Sequence, residues 1–285
     1  MRKNQSSLTA AGIALARAIE SEKPVNERIC YDPYARQFTP AWMYHIFGFF
    51  IKTGYAELRG PGVIGFLMAR ERYIDDVLKN YLSEGLQQLV ILGAGYDSRA
   101  YRFDLPERVK TFEVDHPVTQ ADKLEKVRRI FGKVPEHVRY VPVDFNSQSL
   151  SERLLSSGYD PNLISLFIWQ GVTMYLTPEG VDTTLAFVVN HAAPGSAIVF
   201  DYVYQAVLDG IQKQNEITNI RRYRFMTGEG LTFGIPEGTV GSFLQQRGFQ
   251  QVIDVNAEAL RADYFTGKNA SRKVVGGYGI VIGKV

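Results

Sequence analysis

The spacing of apolar residues changes character near residue 85. From Arg70 to Leu82, Tyr73, Ile74, Val77, Leu78, Tyr81 and Leu82 recur at helical spacing, which leaves Arg70, Arg72, Asp75, Asp76 and Lys79 for other faces. Beyond that helix, short apolar runs predict strands at Leu89–Leu92, Lys110–Asp115, Val138–Val143, Leu163–Trp169, Ala197–Val203, Gln250–Val255 and Tyr278–Lys284. Helical patterns fall between them at Ala121–Phe131, Ser149–Leu155, Thr177–Ala192 and Pro236–Arg247. Ser149 with Glu152 forms a capping-box pattern, Thr177 and Pro178 read as a helix start, and Gly248 as a stop. Regular alternation of strand and helix predicts an α/β fold: a doubly wound, mostly parallel sheet of seven strands with helices on both faces. Residues 1–84 read instead as helices and aromatic-rich loops, with Trp42, Tyr44, Phe47, Phe49, Phe50 and Tyr55 ahead of Gly60-Pro61-Gly62. The expected organisation is an N-terminal helical cap, 1–84, on a core of 85–285.

In such a sheet the ligand crevice lies at the carboxyl ends of the strands, beside the point where strand order reverses. The chemistry-bearing residues gather there. Val90, Ile91 and Leu92 run straight into Gly93-Ala94-Gly95, a turn that lets the backbone approach a ligand without a Cβ in the way. Asp115 ends the second strand, Asp144 follows the third, and Trp169, Gln170 and Gly171 end the fourth. Asp115 lies twenty residues beyond Gly95, about the offset at which an acid meets ribose hydroxyls. Dinucleotides and S-adenosylmethionine both fit an acid at that place. Ser98 stands where a dinucleotide fingerprint has its third glycine, and Asp97 would sit badly beside a pyrophosphate, so the loop favours S-adenosylmethionine. Asp144 would then accept from the adenine amino group, with Phe145 framing the ring.

Composition narrows the partner. The chain has 285 residues, 45% of them hydrophobic, enough for a large core, and a formal net charge of only +2. That balance argues for a small-molecule partner, with neither nucleic acid nor a membrane surface expected. The pattern sets no oligomeric state. Cys30 is the single cysteine, which excludes an internal disulfide framework and fits a reducing compartment, and no metal cluster is expected. With no signal-like run and no segment near the roughly 20 apolar residues needed to cross a bilayer, the expected location is cytoplasmic.

Four ordered segments carry a resemblance: Leu92-Gly-Ala-Gly-Tyr-Asp-Ser-Arg-Ala-Tyr-Arg102, Phe112-Glu-Val-Asp-His-Pro117, Val143-Asp-Phe145 and Phe167-Ile-Trp-Gln-Gly-Val-Thr-Met-Tyr-Leu-Thr-Pro178. They resemble the leucine carboxyl methyltransferase family, most of all its bacterial branch of S-adenosylmethionine-dependent O-methyltransferases. The likeness extends to Arg17-Ala-Ile-Glu-Ser21, Tyr31-Asp-Pro-Tyr-Ala35, Ala69-Arg-Glu-Arg72 and Phe233-Gly-Ile-Pro236, almost the whole chain. It implies a Rossmann-like class I methyltransferase fold. By the same resemblance Arg70, with Arg72 as the fallback, would pair with the methionine carboxylate, and Gly93 would offer its carbonyl to the amino group. Asp115 would hold the ribose, and Asp144 with Phe145 the adenine. Much of the family has Glu where this chain has Gln170, which implies a hydrogen bond rather than an ion pair near the cofactor's cationic end.

Methyl transfer from a sulfonium is an in-line displacement with a good leaving group, so the protein mainly aligns and desolvates the acceptor. A carboxylate acceptor needs no base, whereas a hydroxyl does. Tyr202, His45 and His116 are the candidates for one, and the expectation is that none is essential. His137 and His191 read as structural. The aromatic stretch Trp42–Tyr55, with Tyr202, Tyr204 and Tyr223–Phe233, suits a hydrophobic or aromatic acceptor, and Asn219–Arg224, with three arginines, would suit a carboxylate. Two other readings compete: a nicotinamide oxidoreductase, disfavoured by Asp97 and Ser98, and a non-catalytic module that keeps the fold for interaction.

Overall fold

Seven strands form one sheet: β1 (Gln88–Leu92), β2 (Lys110–Asp115), β3 (Val138–Pro142), β4 (Ser165–Trp169), β5 (Ala197–Val203), β6 (Gln251–Asn256) and β7 (Tyr278–Lys284). Their order is β3-β2-β1-β4-β5-β7-β6, and β7 runs antiparallel to both neighbours while the other pairings are parallel. The structure, a computed structural model, describes residues 8–145, 148–210 and 230–285. Strand order reverses between β1 and β4, so the turn after β1 and the loop after β4 face each other across the switch point, in a Rossmann-like arrangement. β1, β4 and β5 are buried along their whole length, which is why their sequences read as unbroken apolar runs rather than alternating ones.

Twelve helices are named along the described residues: α1 (Leu8–Ser21), α2 (Ala35–Phe38), α3 (Ala41–Lys52), α4 (Tyr55–Arg59), α5 (Val63–Ser83), α6 (Arg99–Arg102), α7 (Pro117–Phe131), α8 (Leu150–Ser156), α9 (Pro178–His191), α10 (Gln205–Leu208), α11 (Val240–Gln245) and α12 (Ala257–Tyr264). Pro117 opens α7 four residues ahead of its apolar pattern, and α5 starts at Val63 rather than Arg70. The helix expected over Pro236–Arg247 shrinks to α11, because Thr239 closes a turn back onto the Pro236 carbonyl at 3.1 Å. α12 was not legible from periodicity. Its signal is Asn256, whose side chain caps the helix by accepting from the Ala259 amide at 2.9 Å.

The two faces of the sheet bury separate clusters. On one, Val90, Leu92, Phe112, Phe167, Trp169, Phe200 and Tyr202 pack against Leu154 of α8 and Val181, Leu185 and Val188 of α9. On the other, Leu89, Ile91, Ile168 and Val199 pack against Met68, Ala69, Ile74 and Leu78 of α5. A third cluster joins Ala11, Leu15 and Ile19 of α1, Phe38 of α2 and Met43 of α3 to Tyr96 and Val127. Tyr96 belongs to the glycine turn, so the N-terminal helices are fastened directly over it. Burying a ring of that size contributes about 2–3 kcal/mol. Among the described residues no helix is long and apolar enough to cross a membrane.

Candidate functional site

The turn after β1 needs both its glycines. Gly93 and Gly95 have φ of 64° and 46°, in the left-handed region, and a Cβ on Gly93 would lie 2.3 Å from Cγ2 of Val172 in the loop after β4. From β2, Asp115 reaches the same turn: one carboxylate oxygen accepts the Gly95 amide at 2.5 Å, the other its neighbour His116's amide at 2.6 Å. Burial pushes the Asp115 carboxyl above the usual range, against the pull of those two amides, Lys123 and His116. Asp144 follows β3, where its amide donates to the Gln148 side chain at 3.0 Å, and Phe145 packs half-buried against the core.

Across the switch point stands Arg70. It is 2% exposed on α5, and its Nη1 donates to Asp201 of β5 at 2.5 Å. Its Nε and Nη2 are buried with no hydrogen-bond partner among the described residues. Leaving two charged N–H groups bare in a protein interior is costly, so this edge calls for an oxygen ligand. Gly171 passes beside it with φ of 69°, a left-handed backbone that favours glycine, and a Cβ there would stand in ordinary contact with Nη1 at 3.5 Å and Nη2 at 3.9 Å.

Beneath the turn lies a buried charge cluster that periodicity does not reveal. Arg17, Arg99 and Arg102 face Asp32, Glu71, Asp75 and Asp97, three guanidiniums against four carboxylates. Burial alone would raise Glu71, but Arg99, Arg17 and Arg102 reverse it and hold the carboxyl well below its ordinary range. Removing a single partner would strand a buried charge at a cost of about 3–5 kcal/mol. Asp97 is turned inward onto Arg99, and so is not a bare loop anion facing a ligand. Gln170 bridges the cluster, accepting from Arg99 Nη1 at 2.9 Å and donating to Glu71 Oε2 at 2.7 Å. A glutamate at 170 would add a fifth carboxylate and lose the donor to Glu71, which gives the amide here a physical reason.

The structure brings Arg70, Gly93, Gly95, Asp115, Gln170 and Gly171 to the strand ends around the switch point. Of the candidate bases only His116 stands there, next to Asp115, and its ring nitrogen is spent on capping a helix. Tyr202 neighbours Asp201 on β5 but points to the opposite face, as alternation requires, and its hydroxyl donates to Asp254 of β6 at 2.8 Å. Burial, with Asp254 beside it, pushes this phenol well up, away from any role as a base at neutral pH. His45 is exposed on α3, its ring edge-on to Tyr44. His116 caps α7: Nδ1 accepts the Val118 amide at 3.3 Å. His137 bonds the Ala100 carbonyl at 2.9 Å, and His191 stacks on Phe187, so both are structural. The arginine-rich segment Asn219–Arg224 and Tyr223 lie outside the described residues.

Sequence reasoning missed Asp201, Glu71 and Arg17. Asp201, within Ile-Val-Phe-Asp-Tyr-Val of β5, and Arg17, within Ile-Ala-Leu-Ala-Arg-Ala-Ile of α1, are charged residues in otherwise apolar stretches and must find buried partners, whereas Glu71, between Arg70 and Arg72, carries no such signal.

Residues 10–189 match the family model described as leucine carboxyl methyltransferase. A Bacillus subtilis protein named "Putative S-adenosyl-L-methionine-dependent methyltransferase YktD" is 34% identical over 163 residues, 57% of this chain and 53% of that protein. A Mycolicibacterium gilvum protein named "Putative S-adenosyl-L-methionine-dependent methyltransferase" is 30% identical over 206 residues, 68% of this chain and 65% of that one. The matches therefore span between about half and two thirds of these relatives. Among solved structures, a "putative methyltransferase" from Thermobifida fusca superposes with a TM-score of 0.59 at 14% identity, covering 99% of this chain and 96% of that one. A DUF574 family protein from Streptomyces avermitilis superposes equally well, at 12% identity over 99% of both. At that identity the likeness speaks for the fold. With the model match extending over more than half of its length, this chain belongs to the leucine carboxyl methyltransferase family.

Proposed function

We propose that this protein is an S-adenosylmethionine-dependent O-methyltransferase acting on the carboxylate or hydroxyl of a small hydrophobic or aromatic molecule. The observation that carries the reading is the unpaired, buried edge of Arg70 at the switch point, a bidentate donor for which an amino-acid carboxylate is the matching ligand. In this reading Arg70 takes the methionine carboxylate, the Gly93 carbonyl the amino group, Asp115 the ribose hydroxyls, and Asp144 with Phe145 the adenine. Gln170 keeps the charge cluster below the methionine end in register. The excess carboxylate of that cluster favours a cationic ligand over an anionic one. A dinucleotide is disfavoured for a further reason: the turn leads into α6, a single four-residue turn of helix, rather than into a long helix aimed at phosphates.

The bound cofactor would supply a methyl group already activated by the sulfonium. The chain's own work is to align the acceptor and keep water out, and with Tyr202, His45 and His116 committed or remote, an acceptor that is ionised beforehand fits best. The N-terminal segment, residues 1–84, serves as the lid over the 85–285 core, since Ala10 and Ile13 of α1 already stand beside Gly95 and Gly171. The exposed aromatic rings of α3 and α4, including Trp42 at 55% and Phe49 at 62%, support a hydrophobic acceptor. The partner is a small molecule, and the single buried cysteine suits a reducing cytoplasm.

Incubation with S-adenosylmethionine and a panel of hydrophobic carboxylic acids, phenols, amines and carbon nucleophiles, followed by mass spectrometry, tests the acceptor class. Methyl esters or aryl ethers formed together with S-adenosylhomocysteine support it. Methylation confined to nitrogen or carbon acceptors would refute it.

A further inference from the structure

Arg70 has two ways to meet a carboxylate: side-on through Nε and Nη2, or end-on through its two terminal nitrogens. Asp201 takes neither in full. It touches Nη1 alone, at 2.5 Å, and spends its other oxygen on the Gly171 amide, also at 2.5 Å. The side-on edge, Nε with Nη2, is left whole and buried, with no partner among the described residues. Nor is Asp201 free to slide onto it. Its backbone carbonyl accepts the Thr173 hydroxyl at 2.7 Å and its chain is fixed in the β5 ladder against Ile280 of β7, while the Gly171 amide holds the far side of the carboxylate.

We infer that Asp201 is a positioning residue that pins Arg70 by Nη1 so that the Nε/Nη2 edge faces the ligand's α-carboxylate. The inference rests on the functional reading above and adds a residue to it. Its logic is geometric rather than net-electrostatic: Arg70 and Asp201 together are already neutral, so selection of a carboxylate comes from two pre-aimed N–H groups, not from excess positive charge. The same arrangement makes discrimination steep, because a ligand lacking the carboxylate leaves the edge bare and desolvated.

The test is equilibrium titration of the full chain with S-adenosylhomocysteine and with its decarboxylated analogue, S-adenosyl-3-thiopropylamine, which keeps the adenosine, sulfur and amine. Wild type is expected to prefer the carboxylate-bearing ligand by about tenfold or more. Asp201→Asn, checked by thermal melting, should lose most of that preference while its affinity for the decarboxylated ligand stays within about twofold. Arg70→Lys retains the charge and the pair with Asp201 but has no fork, and it should lose the preference in the same way even if Asp201→Asn does not fold. Equal weakening of both ligands in Asp201→Asn, or an unchanged preference in Arg70→Lys, would overturn the inference. Failure of wild type to bind either ligand would instead overturn the functional reading on which it stands.

Discussion

The Asp115 carboxylate accepts the Gly95 amide at 2.5 Å, so the acid that ends β2 and the turn that ends β1 form one unit. Glycine at 93 completes the unit, since the turn closes against Val172 of the facing loop with no room for a side chain. Gly93→Ala should therefore cost about 1–2 kcal/mol for the left-handed backbone alone, and more for the contact with Val172. Denaturant unfolding of Gly93→Ala and of the double variant with Val172→Ala checks this. The second change should recover the steric part and leave the backbone part.

Asp115 also sets a pH dependence. Because burial raises its carboxyl in the folded state, the native protein holds this proton to higher pH than the unfolded chain does. The group is neutral in its effect below the ordinary Asp range of about 4, and its contribution to stability falls as pH rises through the folded value. In the proposed binding mode the opposite sense follows: ribose hydroxyls donating to Asp115 favour its ionised carboxylate, so affinity should rise with pH through the same window. Titrations of S-adenosylhomocysteine between about pH 4.5 and 8 should show this rise in wild type and a weak, flat profile in Asp115→Asn.

Tyr202→Phe removes a hydroxyl that bonds only Asp254 on the far face of the sheet, and should cost about 1 kcal/mol of stability without changing cofactor affinity. His45→Ala should be silent in both. His116→Ala loses the cap of α7, for about 1 kcal/mol. Unfolding curves beside binding isotherms separate these effects. A tenfold loss of affinity in Tyr202→Phe would place this hydroxyl in the site after all.

Gly65 marks where α5 docks. A Cβ there would lie 1.9 Å from the Lys273 carbonyl oxygen, an immovable backbone atom. Gly65→Ala should destabilise by about 3 kcal/mol, the upper end for overpacking, and should weaken cofactor binding with it, because α5 carries Arg70. Chemical denaturation measures the first and calorimetry the second.

Legibility in the sequence followed burial. Strands such as Val-Ile-Leu in β1 and Ala-Ile-Val-Phe in β5 were visible because both faces are covered, and Gly93, Asp115 and Asp144 because they sit where such strands end. Partners were not visible. Arg70 reads as one of several polar residues on an amphipathic helix, and only tertiary contact shows that it and Asp75 are buried while Arg72 and Lys79 are not. Asp97 and Tyr202 misled for the same reason: their neighbours, Arg99 and Asp254, decide where each side chain is spent, and for Tyr202 that neighbour lies on another strand. The Ser98 hydroxyl accepts from Arg102 at 3.0 Å, a contact that a third glycine could not make.

Isothermal titration of S-adenosylmethionine and of NAD into wild type, Asp115→Ala and Arg70→Ala decides whether the switch point is an S-adenosylmethionine site. S-adenosylmethionine should bind wild type, with binding lost or weakened at least tenfold in both variants and no heat from NAD. Binding of NAD that depends on Asp115, or S-adenosylmethionine binding indifferent to Asp115 and Arg70, would contradict that assignment.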